Sequence, residues 1–277
     1  MGNSKLKYKV QELWLRFVTK ELCAKRPCRF ETACLLVAIV LAMLLAAPAA
    51  VADDTGLVVE AGVSKKISKT VSAGLDAEFR TRNEFRTVDR FSIGADVSYK
   101  PLKWLKISAG YILMVDNNGE NISYNEDGSY NNWRPSYYGL RHRLNVSLTG
   151  EYKPHKRVKI SLRERYQYTH RGTHDTRRYD FDNEWWEDVT VKARDRHMLR
   201  SRLQVEWDIP KCKFDPFASV EIFNDRYFDK ARFTLGGEIS INKTHTFGAY
   251  YRYQLIGAQE DEEPNFHYFG LTYKFKF

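Results

Sequence analysis

From residue 54 onward the sequence keeps repeating one pattern: segments of about ten residues in which apolar and polar side chains alternate, with hardly a stretch of 3.6-residue periodicity among them. Successive side chains of a strand point to opposite faces, so such a segment folds as a ribbon that is greasy on one side and charged on the other. In Thr70 to Arg80, Val71, Ala73, Leu75, Ala77 and Phe79 share one face and Ser72, Gly74, Asp76, Glu78 and Arg80 the other. Segments 90–99, 104–114, 140–152, 158–168 and 199–208 repeat the split, and 216–223, 232–241, 246–255 and 266–277 complete a series of ten.

The connections between these segments alternate in length. Short ones contain Lys100 to Lys103, Lys153 to Lys156, Ile209 to Lys211 and Asn242 to Thr244, whereas 116–136, 169–195 and 257–265 are long and polar. A water-soluble sandwich has no reason for that alternation, but an outer-membrane barrel has short periplasmic turns and longer outer loops. Aromatics gather at both rims of the apolar band, at Tyr99, Trp104, Tyr152, Trp207 and Phe214, and again at Phe79, Tyr111, Tyr168, Phe233 and Tyr253. These are two candidate interfacial girdles. The pattern predicts an all-β fold, an antiparallel transmembrane β-barrel of about ten strands. Leu57 to Val63 reads as one strand more. Because bacterial barrels have even counts, that segment is expected either to pack as a tail in or beside ten strands or to have a partner hidden in a long loop, giving twelve.

The N-terminus predicts export. Residues 33–47 form the one long apolar run, preceded by Lys20, Lys25, Arg26 and Arg29 and followed by Ala50-Val51-Ala52, small residues suited to a signal peptidase. Residues 1–52 are therefore expected to be a cleaved signal peptide with a long basic segment, which suggests a misassigned start, and 53–277 the barrel. The leader holds eight Lys/Arg and three Asp/Glu of the chain's 44 and 35, which leaves 36 and 32 beyond it, a net +4. The basicity belongs mostly to targeting and makes no case for nucleic-acid binding. Cys23, Cys28 and Cys34 would leave with the leader, so Cys212 has no partner for an internal disulfide.

The final ten residues, Tyr268 to Phe277, resemble the terminal strand of outer-membrane proteins, in which alternating aromatics and a final Phe are read by the barrel-assembly machinery; here these are Tyr273, Phe275 and Phe277. The stretch Arg200 to Tyr253, with Phe214 to Phe223 and Arg232 to Ile241 inside it, resembles a family of uncharacterised Gram-negative outer-membrane barrels known as a domain of unknown function. The resemblance covers nearly all of the mature chain. It implies a barrel and an outer-membrane location and transfers no catalytic residue.

Alternation also assigns the lumen. Arg80, Arg90, Arg141, Arg143, Arg163, Arg165, Arg200, Arg202, Arg232 and Arg252 are expected to line its outer half, and Asp96, Glu151, Glu206, Asp208 and Glu238 its inner half. Two readings of this polarised interior stay open. The side chains fill a narrow ring as a hydrogen-bonded plug, which makes the barrel a structural envelope component, or they form a porin-like narrow passive channel whose basic outer vestibule concentrates anions. An outer-membrane lipid-modifying enzyme is the alternative, but His142 and Ser201, both expected to face lipid, are separated by an intervening strand, about 9–10 Å, and no G-x-S-x-G or H-E-x-x-H is present.

The long loops offer less. Asn125 to Gly128 has carbonyl and carboxylate oxygens without the spacing of a calcium loop. His170 and His174 stand among arginines that repel a cation, and Trp185-Trp186 is expected to grip a ligand or cap the barrel mouth. No metal or cofactor is expected. Expected partners are outer-membrane lipids and lipopolysaccharide, whose phosphates suit exposed Arg and Lys, and the chain is expected to be a monomer.

Overall fold

A computed structural model describes residues 53–210, 212–257 and 264–277. The expected leader lies outside the described residues, as do Lys211 of one short turn and most of loop 257–265. The strands in chain order begin with β1 (Asp54–Lys66), β2 (Val71–Arg82), β3 (Thr87–Leu102), β4 (Leu105–Asn118), β5 (Asn121–Tyr124), β6 (Tyr130–Arg134), β7 (Tyr137–His155) and β8 (Val158–Arg171). They continue with β9 (His174–Asp180), β10 (Trp185–Val191), β11 (Arg194–Trp207), β12 (Phe214–Asn224), β13 (Phe228–Ser240), β14 (His245–Ile256) and β15 (Phe266–Lys276).

Eleven of these strands close into one barrel in the order β1-β15-β14-β13-β12-β11-β8-β7-β4-β3-β2. The ring therefore has neither ten nor twelve members. An all-antiparallel ring must be even, but this one closes through a single parallel pair, β1 on β15, in register from Asp54↔Phe266 to Ser64↔Lys276. The segment expected as a tail or as half of a missing pair is a full wall strand, antiparallel to β2 on its other side. Its place is fixed from within. Val58 is fully buried with Tyr250, Phe266 and Tyr268, and Phe217 and Ile256 pack against the group. Gly270 makes room for this cluster, because a Cβ there would meet the Tyr250 ring.

The faces are inverted relative to a water-soluble barrel. Val97, Leu144, Val146, Leu203 and Leu271 stand exposed on the outside, whereas Ser92, Asn145, Ser147, Gln167, Thr234 and Gln254 are buried within. Backbone groups on a closed ring find partners in one another, which is what a hydrocarbon surround requires.

Two of the long connections are not irregular loops. Residues 116–136 contain the hairpin β5–β6 and residues 169–195 the hairpin β9–β10, and the two join as a separate four-stranded sheet in the order β10-β9-β6-β5. That order repeats the order β11-β8-β7-β4 of the wall strands from which the hairpins grow. The joint is brief, Asn132↔Asp180 and Trp133↔Tyr179. One face carries a row of rings in contact, Tyr124, Tyr130, Phe181, Tyr179, Trp186 and Trp133, with centroids 5.1 to 5.7 Å apart. The more covered face meets the barrel: His174 stacks on the buried, inward-facing Tyr137, and Arg134 lies over the same ring.

The β2–β3 turn takes an uncommon path. Asn83, Glu84 and Phe85 all have positive φ, 52° to 70°, a conformation that side-chain-bearing residues resist. The Asp54 carboxylate holds this turn to the start of β1 by accepting from the backbone N–H groups of Asn83 and Glu84, at 2.8 and 3.1 Å.

Candidate functional site

The outer half of the barrel interior encloses a cavity of about 590 Å³. All ten arginines assigned to the lumen line it, together with Arg82, Arg171, Arg194, Arg196 and Lys230. Six carboxylates share the lining, Glu60, Asp76, Glu78, Asp89, Asp116 and Glu221, so fifteen cations face six anions, a net +9. The division into a basic outer and an acidic inner half is thus less clean than the sequence pattern suggests. The six acids sit at inward positions of β1, β2, β3, β4 and β12, where alternation could have found them.

Most of the acids act as counter-ions, and two of them, Asp116 and Glu221, are buried. Arg90 donates to both oxygens of Asp116, at 2.5 and 2.9 Å, and Arg141 lies 3.3 Å from the same carboxylate. Arg80 donates to Glu78 at 2.7 Å, and Asp89 stands 3.8 Å from both Arg80 and Arg82. Glu221 accepts from Arg163 at 2.6 Å and Arg200 at 2.8 Å. Glu60 accepts from the Tyr250 hydroxyl at 2.7 Å and lies 3.8 Å from Arg252. Phe223, an inward aromatic that residue-type counting passes over, presents its ring to Arg200 and Arg232, whose guanidinium carbons lie 4.4 and 4.6 Å from its centroid. Such cation–π contacts hold guanidinium groups without neutralising them.

Among the described residues, other arginines donate to neutral acceptors. Arg143 donates to Thr169 Oγ1 at 3.0 Å, Arg165 to Ser147 Oγ at 2.9 Å and Arg232 to Gln254 Oε1 at 2.7 Å. Gln167 links the two sides of this layer, accepting from Arg200 at 3.2 Å and donating to Asn145 at 2.9 Å.

In the inner half three of the five assigned acids have lysine partners. Glu151, Glu206 and Glu238 lie 3.6, 2.5 and 2.5 Å from Lys100, Lys159 and Lys274. Asp96 lies over Gly74, and Asp76 over Gly94, positions whose missing side chains leave the space. Asp208 stands past the end of β11 in an exposed short connection, away from the cavity lining.

On the outer surface His142 and Ser201 belong to different pairs. The Tyr111 hydroxyl and His142 Nδ1 are 2.6 Å apart, Ser201 donates to Glu164 at 2.7 Å, and β8 runs between β7 and β11. His170 and His174 also part, the first to Asp195 at 2.7 Å and the second to the Tyr137 ring. Trp185 and Trp186 point to opposite faces of β10, and Trp186 alone joins the aromatic row. Asn125 to Gly128 forms a turn in which Asp127 accepts from the Ser129 backbone and hydroxyl, at 2.9 and 2.6 Å. Among the described residues no group of three His, Cys, Asp or Glu is placed to hold a metal ion. Tyr273, Phe275 and Phe277 line up at the short-turn end of β15, where Tyr273 and His245 are 2.9 Å apart and Lys65 sits over the Phe277 ring.

A closed ring, greasy outside and charged inside, defines a β-barrel of the outer-membrane type. The chain belongs to the family described as "Protein of unknown function (DUF2490)", which matches residues 56–265. Among solved structures it is similar to the β domain of the Bordetella autotransporter BrkA, at 12% identity over 69% of this chain and 80% of that one, with a TM-score of 0.49. It is also similar to the translocator domain of the autotransporter NalP from Neisseria meningitidis, at 14% identity over 72% and 74%, TM-score 0.48. A third similar structure is the NanC porin, at 13% identity over 77% and 90%, TM-score 0.41. No curated protein matches the chain.

Proposed function

We propose that this protein resides in the outer membrane of a Gram-negative envelope, exported by its cleaved leader, and acts there as a narrow passive channel with an arginine-rich outer vestibule that favours anions. The observation that carries the reading is the cavity of about 590 Å³ with an excess of nine positive charges. A water-filled recess with low-dielectric walls and one sign of charge raises the local concentration of counter-ions. A plug would need its charges neutralised in place, and Arg143, Arg165 and Arg232, which donate to hydroxyl and amide oxygens, argue against that.

Arg86 and Arg177, 80% and 65% exposed at the long-loop end, are placed to meet lipopolysaccharide phosphates, and the C-terminal aromatics suit recognition by the barrel-assembly machinery. The decisive experiment is conductance of the refolded protein in a planar bilayer. Discrete steps with anion selectivity are expected, and Arg141→Ala with Arg143→Ala should lower that selectivity several-fold. A bilayer that shows no steps would leave a structural envelope role.

A further inference from the structure

The register of β8 against β11 sets Arg163 opposite Arg202 and Arg165 opposite Arg200. Directly opposed residues have Cβ atoms about 5 Å apart, and all four line the cavity. Four arginine side chains therefore spring from one square of the inner wall. Like charges directly opposite one another destabilise a sheet, so folding alone does not favour two such pairs stacked in succession.

Among the described residues one carboxylate pairs with the square. Glu221 takes Arg163 and Arg200, while Arg165 donates to a hydroxyl. The Nε atoms of Arg163, Arg200 and Arg202 are buried without an acceptor. The identity of the cations adds a second argument. Of the fifteen that line the cavity, fourteen are arginine and one is lysine. Charge alone could be supplied by either, but only the planar guanidinium fork matches the two oxygens of a carboxylate or phosphate. A cavity of about 590 Å³ also lies within the usual span of small-ligand sites, roughly 300–1,000 Å³.

We propose that the Arg163, Arg165, Arg200 and Arg202 square is a saturable binding site for a small molecule carrying two or more oxyanion groups, phosphate or carboxylate. Such a ligand would supply the acceptors that Glu221 leaves wanting. The proposal rests on the reading of the vestibule as an anion route and adds to it a place where the anion stops.

The test is calorimetric titration of the purified, refolded protein in a neutral detergent at near-physiological salt, with tripolyphosphate in one arm and citrate in the other. Saturable binding is expected, with the tighter probe naming the oxyanion. Arg165→Gln and Arg202→Gln should each weaken it by about tenfold or more, a difference of roughly 1.4 kcal/mol. Their ligand-free thermal midpoints should equal or exceed that of the parent, because each change removes an opposed like charge. Arg86→Gln, in an exposed turn beside Glu84, should bind as the parent does. Absence of saturable binding by both probes at millimolar concentration, or undiminished binding by both square variants, would overturn the site. Conductance without binding would sink this proposal alone, and binding without conductance would sink the channel alone.

Discussion

The cavity of the barrel and the sheet at its long-loop end use the same residue types with opposite balance. The cavity lining carries a net +9, whereas the two hairpins, residues 121–134 and 174–191, hold eight Asp/Glu and three Lys/Arg, a net −5. Both contain an Arg–Glu pair of the same length, Arg163–Glu221 and Arg178–Glu187, each at 2.6 Å. Their surroundings differ. Glu221 is 9% exposed and shared between two arginines, while the outer pair is 39% and 29% exposed and its Glu187 accepts from Arg178 and from the Trp185 indole. Distance is thus a poor guide to what an ion pair contributes; the water it excludes and the charges left behind decide.

Removing either carboxylate tests that contrast most severely. Glu221→Gln should destabilise the barrel by about 3–5 kcal/mol, because it leaves Arg163 and Arg200 buried without a counter-ion, whereas Glu187→Gln should cost less than about 1 kcal/mol. Equal midpoint shifts for the two variants in urea titrations of the lipid-reconstituted protein would break the comparison. A second pair sharpens it for packing. Gly270→Ala drives a methyl group into the Tyr250 ring and should cost about 1–3 kcal/mol, while Gly150→Ala, with nothing within 4 Å, should stay within about 0.5 kcal/mol.

The smallest effect belongs to pH and is confined to the outer sheet. The Ser129 hydroxyl and backbone N–H hold the Asp127 carboxyl below its ordinary value, and the side chain and backbone of Asn183 do the same for Asp180. A carboxyl lowered by folding stabilises the turn above its unfolded pKa, about 3.9, and that contribution fades as pH falls through the lowered value. Amide protection factors at residues 127–129 and 180–183, taken against the unstructured rate at each pH, should therefore hold down to about pH 4 and fall below it. No change in the barrel wall is expected from these turns, and simultaneous loosening of both regions would join what the comparison separates.

Alternation made the wall legible, because a strand between lipid and a charged lumen must change character at every residue. It revealed β1 but not its neighbour, since periodicity carries no record of whether a partner runs with a strand or against it. The hairpins escaped for a different reason: β5 has four residues and β6 five, too few for a pattern to rise above the surrounding Asn and Asp. The arginines of the cavity were visible one at a time, but the opposition of Arg163 to Arg202 is a property of pairing across strands. The inward place of Glu221 follows from the alternation of Phe214–Asn224, but its pairing with Arg163 and Arg200 on β8 and β11 needed the same cross-strand information.

The parallel seam has a topographic consequence. A ring with an odd number of staves must begin at one mouth and finish at the other: Asp54 bonds to Asn265 beside the long connections, whereas Phe277 bonds to Ser64 beside the short turns. With the protein inserted in vesicles, fluorophores at the start of β1 and the end of β15 would accordingly sit at opposite mouths, so a quencher confined to one side should darken one of them and spare the other.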